Sequence, residues 1–184
     1  DDPDALDDDD ALALAGDRGP LATTRGPGAH ASIASGNGHA CAVRRDGTVA
    51  CWGDGSSGAL GNGGFATSTV PVAVVGLSNV TAIGAGISTT VALRSDGSVW
   101  RWGVRWGQAA HPLDATPQQV PGISGATVVA AGAYHACSVR SDGHVLCWGD
   151  GTLGDGFTGV SDLPVEVAGI TNAIDVAVGG NDNT

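Results

Sequence analysis

The stretch His39-Ala40-Cys41-Ala42-Val43-Arg44-Arg45-Asp46-Gly47-Thr48-Val49-Ala50-Cys51-Trp52-Gly53 decides the fold. Two short β-prone runs flank an Asp-Gly turn, the local signature of a hairpin. The pattern returns twice. Thr89 through Leu93 leads through Asp96-Gly97 to Val99-Trp100-Arg101-Trp102-Gly103. His135-Ala136-Cys137-Ser138-Val139 leads through Asp142-Gly143 to Val145-Leu146-Cys147-Trp148-Gly149. Trp52, Trp102 and Trp148 are thereby equivalent, at spacings of 50 and 46. A second marker keeps the same period: the segments beginning at Pro71, Pro117 and Pro164 each run to a glycine five residues on, at spacings of 46 and 47. A repeat near 47 residues is the dominant feature of the chain.

Each copy reads as four short strands: an apolar run such as Val80 to Ala85, the two hairpin strands, and a Pro-initiated strand after a glycine-rich loop. A four-stranded unit of this length is a β-propeller blade, so the chain is expected to be all-β, with about three blades of four antiparallel strands. The copies span about 33–79, 80–125 and 126–172, with the start of a fourth over 173–184. Three blades are fewer than a closed propeller uses. The chain is therefore expected to be a fragment of a longer one, or to have its open edges covered by a second chain. Two hairpin registers are open. A two-residue Asp46-Gly47 loop sets Cys41 opposite Trp52; a three-residue Arg45-Asp46-Gly47 loop, with Gly47 left-handed, sets Cys41 opposite Cys51.

The succession His-x-Cys-x-Val, Asp-Gly-x-Val, Cys-Trp-Gly-Asp-Gly, Gly-Ala-Leu-Gly-Asn-Gly and Pro-Val resembles the regulator of chromosome condensation repeat in the form seen in bacterial proteins, over roughly residues 33 to 184. The second copy departs from it at Val104-Arg105-Trp106-Gly107-Gln108, and the third has a shortened loop at Gly149-Asp150-Gly151-Thr152-Leu153-Gly154. The resemblance implies a seven-bladed propeller in the full family fold. It also implies two known activities for such propellers: guanine-nucleotide exchange on a small nuclear GTPase, and inhibition of an enzyme such as β-lactamase by a secreted member. A propeller frame hosts many activities, so the resemblance speaks for the fold before the function.

Composition narrows the functional classes. Eighteen aspartates and Glu166 stand against eight arginines and no lysine, for a net charge of −11. No basic cluster is available to displace counterions, so nucleic acid is not an expected partner. Seven of the first ten residues are aspartate, and residues 1–30 read as an acidic disordered tail or linker. No apolar run approaches the ~20 residues that cross a bilayer, so no membrane insertion is expected. The sequence has no nucleophile-elbow, phosphate-loop or zinc-protease motif. The aspartates recur in every copy as turn residues. The expectation is a non-enzymatic chain without a cofactor or metal.

The four cysteines fall as Cys41-x9-Cys51 and Cys137-x9-Cys147, and the second copy carries Val91 and Arg101 in their places. Both members vanish together, as cross-strand disulfides Cys41–Cys51 and Cys137–Cys147 require. His39 and His135 fall on the same strand face as Cys41 and Cys137, so His-Cys-Cys metal sets and plain buried thiols remain as alternatives. Disulfides would place the protein in the extracellular space or cell envelope. The recurring Trp52, Trp102 and Trp148 read as packing residues. Trp100, Arg101, Arg105 and Trp106 form the one aromatic and cationic cluster of the chain and are the candidate partner-binding residues. The reading that results is a secreted or cell-surface bacterial repeat module that binds an unknown protein or ligand.

Overall fold

The computed structural model describes residues 32–108, 110 and 112–179. The expected acidic tail, 1–30, and the last five residues of the fourth copy lie outside the described residues. The described residues form three four-stranded antiparallel sheets. Blade 1 consists of β1 (Ile33–Ser35), β2 (His39–Val43), β3 (Val49–Gly53) and β4 (Ser68–Ala73). Blade 2 consists of β5 (Val80–Ala85), β6 (Thr89–Arg94), β7 (Val99–Val104) and β8 (Leu113–Gln119). Blade 3 consists of β9 (Ala126–Ala131), β10 (His135–Arg140), β11 (Val145–Thr152) and β12 (Thr158–Glu166). In each sheet the strands lie side by side in chain order. The first strands pack on one another from blade to blade, β1 on β5 and β5 on β9, while β4, β8 and β12 lie outermost. These are propeller blades.

The hairpin turn fixes the register. Arg44 N–H donates to the Thr48 carbonyl at 2.8 Å, enclosing the three residues 45–47, and Gly47 takes φ 77°. A side chain there would be strained. Asp46 Oδ1 accepts the backbone N–H and the hydroxyl of Thr48 at 2.9 and 2.7 Å, and Asp96 does the same for Ser98. These hydrogen bonds hold both carboxyls below their ordinary range. The three-residue loop sets Cys41 opposite Cys51, Cys137 opposite Cys147 and Val91 opposite Arg101.

The same turn glycines join the blades. The carbonyl of Gly47 accepts Val80 N–H, that of Gly97 accepts Ala126 N–H, and that of Gly143 accepts Ala173 N–H, all at 3.0–3.1 Å. At the other end of the inner strands, a Cβ on Gly36 would lie 2.0 Å from the Gly86 carbonyl oxygen, and one on Gly86 would lie 2.1 Å from that of Gly132. Only glycine allows this approach.

Two features differ from the sequence reading. The outer strands begin before their prolines, at Ser68, Leu113 and Thr158 rather than at Pro71, Pro117 and Pro164. Proline is tolerated inside them because these strands are sheet edges, where an N–H is not required. The fourth copy starts as the others do, through Ala173, but residues 173–179 form no strand.

The core lies between blades. Cys41, Val49, Cys51 and Leu60 of blade 1 meet Ile83 and Trp102 of blade 2. Val91, Val99 and Val120 of blade 2 meet Val129, Leu146 and Trp148 of blade 3. Trp102 and Trp148 are 1% and 3% exposed, whereas Trp52, on the face of blade 1 turned away from blade 2, is half-buried.

Candidate functional site

Strand alternation divides the aromatic and cationic cluster between two surfaces. Trp100 and Trp102 face blade 1, while Arg101 faces blade 3. Trp100 and Arg101, adjacent in the chain, therefore lie on opposite faces of blade 2. Trp100 is half-buried against the core between blades 1 and 2, its Nε1 donating to Ser98 Oγ at 3.1 Å and its ring lying 5.9 Å from the Arg94 guanidinium. Arg101 is 6% exposed and pairs through Nη2 with the Asp162 carboxylate of blade 3. Gln108 Nε2 donates to the other oxygen of Asp162 at 2.7 Å. Arg105 forks onto Asp114, Nε at 3.1 Å and Nη2 at 2.8 Å from Oδ2. Trp106 meets Tyr134 of blade 3 edge to face, with centroids 5.0 Å apart, and Gly107 N–H donates to Asp150 Oδ1 at 2.6 Å. Arg101, Trp106 and their partners thus build the seam between blades 2 and 3.

The seam between blades 1 and 2 solves the same packing problem differently. Cys41–Cys51 forms a disulfide across a Cα separation of 4.0 Å, and Cys137–Cys147 repeats it at 4.1 Å in blade 3. Both first-blade sulfurs are fully buried against blade 2. The Ala59 carbonyl of blade 1 accepts Trp102 Nε1–H at 2.8 Å and the Thr90 hydroxyl at 2.9 Å. Because Thr90 has given its one proton to Ala59, the 2.8 Å contact to His39 is a donation from His39 Nε2–H. His39 is a seam residue, and with the sulfurs joined to each other it does not share a metal set with them. Burial lowers its pKa from the ordinary 6.5, and Asp54 offsets part of that shift.

Sequence reasoning overlooked Asp162, Asp114, Gln108 and Tyr134. A signal was present. At one position relative to the recurring proline the copies read Thr69, Ala115 and Asp162, and one residue earlier they read Ser68, Asp114 and Ser161. The pairings Gly53–Ser68, Gly103–Asp114 and Gly149–Ser161 confirm that alignment. Two acids that break the repeat answer two arginines that break it.

Family profiles for the regulator of chromosome condensation (RCC1) repeat match residues 31–59 and 127–155 and, in a second form, 46–93, together half of the chain. The human E3 ubiquitin-protein ligase HERC2 is 35% identical over 75 residues, which are 39% of this chain and 2% of that protein. The structure resembles that of Prp20p from Saccharomyces cerevisiae, with a TM-score of 0.70 and 23% identity, over 83% of this chain and 42% of that one. It also resembles human WBSCR16, with a TM-score of 0.67 and 23% identity, over 75% of this chain and 37% of that one. The chain thus spans a small part of the curated relative and well under half of either solved structure. By profile, by repeat and by blade architecture, the chain belongs to the regulator of chromosome condensation repeat family.

Proposed function

We propose that these blades are a non-enzymatic protein-binding module of a secreted or cell-surface bacterial protein. The observation that carries the reading is where the charged side chains go. Asp46 and Asp96 close turns, while Arg101, Arg105, Asp114 and Asp162 hold seams and loops. The chemistry visible in the sequence is spent on building a rigid frame, which leaves its loops to recognise a partner. The related yeast protein Prp20p points the same way: it was studied for its binding to Gsp1p and histones, and was also solved, as yeast RCC1, bound to Kap60. The two disulfides support an oxidising compartment. The open faces of blades 1 and 3 are met by further blades of a longer chain or by a second chain. Guanine-nucleotide exchange on a small GTPase is the second reading, favoured by the likeness to Prp20p.

One experiment separates the two. The oxidised protein is titrated into a small GTPase carrying a fluorescent nucleotide, and a partner identified by cross-linking at the cell surface is titrated calorimetrically in parallel. The binding-module reading expects saturable binding of that partner and an unchanged rate of nucleotide release. Catalytic acceleration of release would replace it with the exchange reading.

A further inference from the structure

We propose that the seam between blades 2 and 3 binds one ordered water molecule, held by Arg101 Nε and Thr89 Oγ1. A small cavity of about 10 Å³ lies in this seam, lined by Thr89, Arg101 and Trp106 of blade 2 and by His135 and Trp148 of blade 3. A water molecule needs about 10–15 Å³ and two to four polar partners. A pocket of this volume suits a single water.

Arg101 supplies the first partner. Its Nη2 is taken by the Asp162 carboxylate and its Nη1 reaches the Asp162 carbonyl oxygen at 3.5 Å. Its Nε is buried and has no hydrogen-bond acceptor among the described residues. A buried donor on a charged group requires an acceptor. Thr89 supplies the second partner. Its hydroxyl proton goes to the Val104 carbonyl at 2.6 Å, leaving the oxygen lone pairs to accept. A ligand between them must accept from Nε and donate to Thr89 Oγ1, which water does and a halide cannot. An anion would also lie beside Asp162, which already neutralises the guanidinium.

The neighbouring seam has no such need, because Thr90, Trp102 and His39 are satisfied by one another and by Ala59.

A crystal structure of the 184-residue chain, at a resolution that shows ordered solvent, tests this. The expected result is a single density peak about 3 Å from Arg101 Nε and within hydrogen-bonding distance of Thr89 Oγ1. A dry cavity, or Nε turned onto a protein carbonyl, would overturn the proposal. The Arg101→Met variant should lose the peak; persistence of the peak there would show that the arginine does not hold it. Should that variant fail to fold, the wild-type protein labelled with nitrogen-15 decides. Its Arg101 Nε–H should cross-relax with a water that stays bound for longer than about a nanosecond, and the absence of that signal would contradict the site.

Discussion

The two seams of this molecule hold similar blades together by different means. Between blades 1 and 2 the contact is apolar and hydrogen-bonded to a backbone carbonyl: a buried disulfide, Leu60, and Trp102 and Thr90 on the Ala59 oxygen. Between blades 2 and 3 a buried guanidinium stands where a cysteine stands in the flanking blades, and an aspartate of the next blade answers it. The repeat specifies the blade, while departures from the repeat specify how two blades meet. Backbone features are common to every seam, as the Val80, Ala126 and Ala173 N–H groups on the preceding turn glycines show. Side-chain chemistry is free to vary above them.

The largest expected effect comes from breaking the charged seam. Asp162→Ala strands the Arg101 guanidinium in a buried site and should cost about 3 kcal/mol in urea unfolding. Pairing it with Arg101→Met should recover most of that loss, because an apolar pair leaves no charge without its partner. If the double variant is as unstable as the single one, packing and not the ion pair holds the seam.

In the other seam, Thr90→Val keeps the shape and removes both the donor to Ala59 and the acceptor for His39. We expect a loss of about 1–2 kcal/mol, read in the same unfolding assay. A neutral result would mean that the disulfide and apolar contacts suffice there.

His39 gives that seam an acid limit. Its folded pKa is depressed below 6.5, so as pH falls the unfolded chain takes up this proton first. Its stabilising contribution is complete above 6.5 and is lost as pH falls from there toward the folded value. His39→Thr, which copies Thr89 of blade 2, should flatten the stability profile on the acid side of pH 6.5. An unchanged slope would assign the acid sensitivity to another group.

The smallest effect is expected at Ser138. Its hydroxyl is fully buried with no hydrogen-bond partner among the described residues, and the equivalent residues are Ala42 and Ala92. Ser138→Ala should leave thermal stability unchanged or raise it by up to about 1 kcal/mol. A clear loss would reveal a partner for the hydroxyl.

Much of the frame was legible in the sequence because it depends on short-range spacing. The Asp-Gly turns marked the hairpins but left two registers open; the joint loss of both cysteines in the second copy favoured the one that sets Cys41 opposite Cys51. The tryptophans that recur as Trp102 and Trp148 were readable as packing residues for the same reason. The arginine cluster was harder. Trp100, Arg101 and Trp102 are adjacent in the chain, but alternation sends them to opposite faces, and what each then meets depends on a neighbouring blade. Asp162 lies sixty-one positions from Arg101, and no local pattern joins them. Comparing the copies position by position, and pairing departures of opposite charge, would have found it.

Each hairpin adopts the register that places the cysteine positions face to face, with cystines in blades 1 and 3 and the ion-paired arginine in blade 2. Proteolytic digestion of the alkylated, unreduced protein followed by mass spectrometry tests it most directly. Two linked peptide pairs are expected, Cys41 with Cys51 and Cys137 with Cys147, and no alkylated cysteine. Free thiols in air-exposed protein, or a bridge between Cys41 and Cys137, would contradict it.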